Sequence, residues 1–265
     1  MTIKEWLDSA IIQLRGANID SAALDAQIIL SHTIRHGHTY LHAHNDDALS
    51  SRHQEIADAR LRLRLDRTPI AYIVGHKEFY GRSFQVTTAT LIPRPESETI
   101  IEMLCEHTPA TAELIALNNR LVDIGTGSGC LGITAKLERP DLDVTLIDIS
   151  HHALAIAKQN AAKLGADVHV ERSDLLSGYL FMANFVIANL PYVSTEWQRS
   201  PETNHEPELA LFADDDGMAL ITKLLHQLPS RLASGGYAYI EADPRQHPRI
   251  IAQAIQYELT HVETR

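Results

Sequence analysis

The stretch Leu121-Val122-Asp123-Ile124-Gly125-Thr126-Gly127-Ser128-Gly129-Cys130-Leu131-Gly132 reads as a strand that breaks into a glycine-dense turn and re-enters as a helix. Glycines in such a turn permit positive φ and let the backbone approach a ligand closely. Dinucleotide sites carry G-x-G-x-x-G, with a pyrophosphate on the helix N-terminus. Here the spacing is G-x-G-x-G, and Cys130 stands at the third glycine position of that fingerprint. A tight turn that binds nothing is the plain alternative.

Two residues before the first glycine lies Asp123. A carboxylate beside the loop repels pyrophosphate but suits a cationic amino-acid group, such as that of S-adenosylmethionine. Working outward, candidate strands are Leu121–Ile124, Val144–Ile149, Val168–Glu171, Phe185–Asn189 and Tyr237–Glu241, with helical stretches between them. That alternation predicts an α/β domain with a parallel sheet covered on both faces. Asp148 ends the second strand, where a carboxylate can accept both ribose hydroxyls or, on a blander reading, cap the helix that follows. Asp174 and Leu175 follow the third strand, where they can meet an adenine edge and face, although Asp174 can equally cap a loop.

Toward the N-terminus the texture is helical. Thr2 and Glu5 have capping-box spacing, and Trp6, Leu7, Ala10, Ile11 and Leu14 mark one apolar face. Asp20 can cap a second helix. A third is predicted over Ser51 to Asp66, although Ala59-Arg60-Leu61-Arg62-Leu63-Arg64-Leu65 alternates like a strand; its good helix formers and lack of β-branched residues favour helix. Lys77 to Val86 reads as two short strands around a Gly turn, and Pro93 and Pro95 hold Arg94 in an extended link. The expected division is a helical domain over 1–72, a hairpin and extended connector over 73–95, and a Rossmann-like domain over 96–265.

The segment Val186-Ile187-Ala188-Asn189-Leu190-Pro191-Tyr192-Val193 ends the fourth strand with a polar residue, a proline and an aromatic. Ligands of open α/β sheets bind outside the carboxyl ends of the strands. An amide nitrogen is a poor nucleophile, because its lone pair is delocalised into the carbonyl. Two acceptors gripping its NH2 can orient that lone pair and stabilise the positive charge that develops. Asn189 offers a side-chain oxygen and Leu190 a backbone carbonyl, whose direction Pro191 fixes. Tyr192 offers a ring face to a planar amide or base. A strand-ending turn without chemistry is the bland alternative.

The chain has 265 residues, 45% of them hydrophobic, and a formal net charge of −11. Duplex phosphate binding favours a basic face, so nucleic acid is not expected as the main partner. No apolar run approaches membrane-spanning length, and the N-terminus lacks a secretory layout. Cys105 and Cys130 form no CxxC pair, so neither a disulfide framework nor a zinc ribbon is expected. A reduced cytoplasmic setting, without membrane contact, fits best.

These residues resemble the protein-(glutamine-N5) methyltransferases of peptide chain release factors, the PrmC or HemK family. The resemblance runs nearly the whole chain, through Pro69-Ile70-Ala71-Tyr72-Ile73-Val74-Gly75, Glu78-Phe79-Tyr80-Gly81, Leu91-Ile92-Pro93-Arg94-Pro95-Glu96-Ser97-Glu98, Asp123 to Cys130, and His205-Glu206-Pro207-Glu208-Leu209-Ala210-Leu211. It implies methylation of the glutamine in the Gly-Gly-Gln motif of class 1 release factors by a monomer whose N-terminal helical domain docks the substrate. It also implies S-adenosylmethionine binding by Gly125, Thr126, Gly127, Ser128, Gly129, Asp148, Leu175 and Asn189, with Asn189, Leu190, Pro191 and Tyr192 holding the amide. Arg94 lies in the segment most characteristic of the family and reads either as a site residue without an assigned contact or as a buried structural arginine paired with Glu96 or Glu98.

The chain departs from the family in two places. The usual Asn-Pro-Pro-Tyr is Asn-Leu-Pro-Tyr here, a spelling shared with ribosomal RNA adenine dimethylases. The strand that usually closes this sheet is not apparent before Arg265, which reads as a truncated or divergent end. His32, His36, His38, His42 and His44 lack a completing ligand set, so no metal is expected. The rival readings are an adenine-N6 methyltransferase acting on nucleic acid and a non-enzymatic nucleotide-binding module.

Overall fold

A computed structural model of the chain describes residues 1–107 and 119–265. Those residues form two compact units, one of residues 1–76 with 200–205, the other of the rest. The sequence pattern alone keeps residues 200–205 with the sheet, and the structure moves them to the helical unit.

The first unit is helical. Helix α1 (Ile3–Gly16) opens with the expected capping box: Glu5 N–H donates to Thr2 Oγ1 at 3.1 Å, and Thr2 N–H to Glu5 Oε2 at 2.8 Å. Trp6, Ala10 and Leu14 face the core, and the Trp6 indole N–H donates to Asp58. Helix α2 (Ala22–Ile34) follows Ser21 rather than Asp20, and the Ser21 hydroxyl donates to Asp25 instead of capping the helix. Helix α3 (His38–Ala43), α4 (Ser51–Leu65) and α5 (Ile70–Val74) complete the unit. The two short ones, α3 and α5, lie below the length at which periodicity shows.

The alternating stretch is helical, and the buried residues of α4, Ala57, Leu61 and Arg64, follow a helical spacing. Leu63, which created the strand-like alternation, is 48% exposed. Arg64 is buried, donating to Asp25 at 2.7 Å and to Glu202 at 3.1 Å, and Arg67 also reaches Glu202. These bonds tie residues 200–205 to the helical unit.

A hairpin of β1 (His76–Phe79) and β2 (Arg82–Gln85) follows, and the second unit begins within β1 at Lys77. Tyr80 and Gly81 both have positive φ, as a two-residue turn of the primed type requires. A 3₁₀ turn (Pro95–Ser97) leads into α6 (Glu98–His107). Strands β3 (Arg120–Ile124), β4 (Asp143–Asp148), β5 (His169–Arg172), β6 (Ala183–Ala188) and β7 (Leu232–Ile240) then form a sheet in the order β5-β4-β3-β6-β7. All four pairings are parallel. The crossovers include α7 (Cys130–Glu138), α8 (His151–Leu164), α9 (Glu208–Leu211) and α10 (Ala219–Gln227), and α11 (His247–Gln256) follows β7.

Side chains alternate across the sheet as the pleat dictates. Leu121, Leu146, Phe185 and Ile187 pack into one buried cluster with α6, α7 and α8 residues. Val122, Ile124, Ile147 and Val186 join α10 in the other. Strand β7 starts five residues before the expected Tyr237, and its register against β6 shifts between Ala183 and Phe185. Among the described residues no antiparallel strand joins this sheet. The order reverses between β3 and β6, so the carboxyl ends of these two strands mark the switch point where a ligand crevice forms.

Replacing Arg64 by Met would leave the buried Asp25 carboxylate without its cation. The expected loss is roughly 3–5 kcal/mol of unfolding free energy, measurable by chemical denaturation of the whole chain.

Candidate active site

A cavity of about 280 Å³ opens at the carboxyl ends of the strands. Of the residues singled out in the sequence, Gly125, Thr126, Gly127, Ser128, Asp148, Asp174, Leu175, Asn189, Leu190 and Pro191 line it. Gly129 and Tyr192 are not part of its wall.

Gly125, Gly127 and Gly129 have φ of 69°, 55° and 83°. The loop is anchored from three sides: Thr126 N–H donates to Ile147 O at 3.0 Å, Gly129 N–H to Thr126 O, and Asn160 Nδ2 to Ser128 O. Gly125 has a left-handed φ that disfavours a side chain, and a Cβ there would sit 3.1 Å from Leu190 Cδ2; at Gly129 a Cβ would come within 2.6 Å of Ile133 Cδ1.

Asp123 does not face the cavity. It is 1% exposed, and its Oδ2 accepts from Thr126 Oγ1 at 2.6 Å and from Gly132 N–H at 2.9 Å. The expectation of a carboxylate facing a cationic ligand is therefore corrected, because the side chain points into the junction of β3 and α7. Burial pushes its pKa up to about 6, opposed by the two hydrogen bonds.

Asp148 is the carboxylate that reaches the cavity. Oδ2 accepts from Gly127 N–H at 2.9 Å and Oδ1 from Ser150 N–H at 2.8 Å. Each oxygen keeps a further lone pair for a ligand hydroxyl. Burial raises its pKa, and the backbone N–H groups oppose that shift. The cap of α8 is Ser150, whose hydroxyl accepts from Ala153 N–H. Leu175, at φ 50°, is held buried against the cavity, whereas the half-exposed Asp174 carboxylate is paired with Lys223.

Asn189 follows β6 directly. Its Nδ2 donates to Ser97 Oγ at 2.9 Å; Ser97 Oγ donates to Glu241 Oε2 at 2.5 Å; and Tyr192 Oη donates to Glu241 Oε1 at 3.0 Å. Burial, then the Glu241 charge, pushes the Tyr192 phenol well above its ordinary range. The Tyr192 carbonyl accepts from Gln246 Nε2, which also donates to Asp216 O. Gly217 packs so closely there that a Cβ would lie 1.9 Å from Tyr192 O. Leu190 is 3% exposed and packs into the α10-side core.

Arg94 pairs with Glu206 at 2.6 Å rather than with Glu96 or Glu98, and its side chain is 34% exposed. Glu206 also accepts from Ile92 N–H, while Glu98 accepts from Tyr80 N–H. Sequence reasoning thus missed Ser97, Glu206, Glu241 and Gln246. Glu241 carried the signal that found Asp148, an acidic residue closing a strand. Gln246 carried none.

The site fits an adenosyl-amino-acid ligand in its donor set. Asp148 has spare acceptor capacity, the buried Ser128 lines the cavity, and Leu175 and Ile149 supply apolar wall beside Asp148. Among the described residues no three His, Cys, Asp or Glu side chains converge as metal ligands.

Residues 5–75 match the PrmC N-terminal domain family, and residues 99–206 match the Methyltransferase small domain family. A release factor glutamine methyltransferase of Koribacter versatilis is 37% identical over 255 residues, covering 92% of this chain and 89% of that protein. The chain belongs to the release factor glutamine methyltransferase family. The relative of the same name in Salmonella typhimurium is 34% identical, covering 100% of this chain and 94% of its own. Two solved structures share the fold of this methyltransferase. One is the hMettl16 catalytic domain (TM-score 0.51, 17% identity, 76% of this chain and 70% of that one), and the other a methyltransferase from Pyrococcus furiosus (0.50, 16%, 75% and 85%).

Two outcomes follow from the loop. Because the folded-state pKa of Asp123 is raised, its contribution to stability is present in acid, below its ordinary 3.8, and lost as pH rises through about 6. A shift of that size is worth on the order of 3 kcal/mol, so Asp123→Asn should flatten unfolding free energy against pH between about 4 and 6. Gly125→Ala should cost about 1–3 kcal/mol through its left-handed φ. Adding Leu190→Ala should fail to restore that loss in denaturant titrations.

Proposed function

We propose that this methyltransferase transfers a methyl group from S-adenosylmethionine to the side-chain amide nitrogen of the glutamine in the Gly-Gly-Gln motif of class 1 release factors. The observation that carries this reading is the state of Asn189. Its Nδ2 is committed to Ser97, no described residue donates to its Oδ1, and the residue lines the cavity beside the glycine loop. Asn189 Oδ1 and the Leu190 carbonyl form the acceptor pair for an amide NH2. Pro191 holds Leu190 extended, so the second acceptor keeps its direction. Tyr192 Oη is anchored to Glu241, which fixes the ring whose face is read as meeting the amide.

The cofactor, when bound, supplies an electrophilic methyl group and a positive charge. On the protein side, the backbone of Gly125 to Ser128 would hold its amino-acid end, with Gly129 shaping the turn behind it, Asp148 would accept its ribose hydroxyls, and Leu175 with Asp174 would border the base. Two acceptors on the amide orient its lone pair and stabilise the charge that grows there, so no strong general base is required. Residues 1–72 dock the release factor, residues 73–95 connect, and residues 96–265 perform the transfer. In this reading the protein acts as a monomer in the cytoplasm; the net charge of −11 disfavours nucleic acid as its main partner, and among the described residues no helix is long and apolar enough to cross a membrane.

The test is label transfer from donor methyl to a class 1 release factor and to its Gln-to-Ala variant. Transfer to the first and none to the second is expected; label that survives the change would sink the reading. Asn189→Ala should lower turnover about 10²–10³-fold while donor affinity by calorimetry changes far less.

A further inference from the structure

We infer that Ser97 and Glu241 are positioning residues that set the polarity of Asn189, forcing its side-chain oxygen, and not its NH2, toward the substrate nitrogen. The inference rests on the proposed function, since it concerns which end of the Asn189 amide meets the glutamine.

An asparagine side chain is nearly symmetric in shape but opposite in chemistry at its two ends. Flipped by 180°, it would present NH2 to an incoming NH2, and the grip would become a repulsion between donors. Something must therefore decide the orientation. Ser97 alone cannot, because a hydroxyl both donates and accepts, and it would satisfy either end of Asn189.

Glu241 removes that ambiguity. An ionised carboxylate accepts only, so the single Ser97 proton is taken at 2.5 Å by Glu241 Oε2. The Ser97 oxygen is then left only with acceptor capacity, and Asn189 can offer it nothing but Nδ2, the 2.9 Å bond observed. The other carboxylate oxygen is held by the Tyr192 hydroxyl at 3.0 Å, which keeps Glu241 from rotating away. The backbone fixes both ends of the chain: Glu241 N–H donates to Ala188 O at 2.9 Å, one residue before Asn189. Ser97 is 2% exposed, so water does not compete for its proton. Hydrogen bonds in series also polarise one another, which makes Asn189 Oδ1 a better acceptor.

The arrangement brings together three segments distant in the chain: the turn before α6, the end of β6 and the end of β7. Removing the Ser97 hydroxyl takes away the acceptor for Nδ2. Removing the Glu241 carboxylate frees the Ser97 proton, which can then be donated to Asn189 Oδ1 in the flipped state.

The experiment compares Ser97→Ala, Glu241→Leu and the double variant in methyl transfer to a class 1 release factor, alongside donor affinity by calorimetry. Because Glu241→Leu also releases the Tyr192 hydroxyl, all are built on a Tyr192→Phe background as well as on the natural chain. Misplacing a group that orients the reacting atoms costs about 10²-fold, so Ser97→Ala should lower kcat about 10²-fold, with donor affinity within about threefold. Glu241→Leu should lower kcat even on the Tyr192→Phe background, and the double variant should be no slower than Ser97→Ala, because both act through one hydroxyl. Ser97→Thr, which returns a hydroxyl, should recover most of the lost rate. Wild-type kcat in Ser97→Ala, or losses that add independently, would overturn the inference. If Ser97→Ala fails to fold, the Glu241→Leu comparison on the Tyr192→Phe background decides alone, and unchanged kcat there overturns it. A natural chain that transfers no label to the glutamine defeats the functional reading itself and is seen before any variant is compared.

Discussion

The glycine loop has its shape because one buried carboxylate oxygen, Asp123 Oδ2, accepts from both the Thr126 hydroxyl and the Gly132 N–H. Those two donors lie on opposite sides of the turn, so a single atom closes it. An ionised group in such a place carries a desolvation cost that only its hydrogen bonds offset. Once the turn is closed, Gly127 N–H is directed at Asp148 and Thr126 N–H at Ile147 O. The carboxylate that faces the cavity is thereby positioned by one that does not. The two acidic residues do different work, and their burial is what separates them.

The parallel sheet, its strand positions and the hairpin were legible because each rests on local periodicity and turn chemistry. The cavity-lining residues were largely legible for a related reason, since an open α/β sheet places its ligand at the strand ends and the chain announces those ends with glycine, aspartate and asparagine. What stayed hidden depends on contacts between segments far apart in sequence. Arg94 meets Glu206 across 112 positions, and Ser97 meets Glu241 across 144. No spacing rule links such pairs. The reading of Asp123 erred for another reason: alternation along β3 puts it on the face of Leu121, beneath α7, a consequence of the pleat that its nearness to the loop concealed.

Helix α4 shows how misleading a short pattern can be. Leu61, Leu63 and Leu65 alternate, yet only Leu61 is fully buried, and the partner that completes its face is the charged Arg64. Hydrophobicity alone assigns Arg64 to solvent. It is buried because Asp25 and Glu202 neutralise it, which no pattern of apolar residues can reveal.

Leu190 stands where the Asn-Pro-Pro-Tyr pattern implied by the family resemblance has a second proline ring. A ring restrains the backbone by covalent geometry, whatever its surroundings do. Here the restraint is a contact, with the leucine pressed between the α10-side core and the bare face of Gly125. Pro191 still restrains the backbone that bears the carbonyl, and the packing of the Leu190 side chain adds to that restraint. A cavity-forming change in that core would therefore reach the reacting segment through the Leu190 side chain.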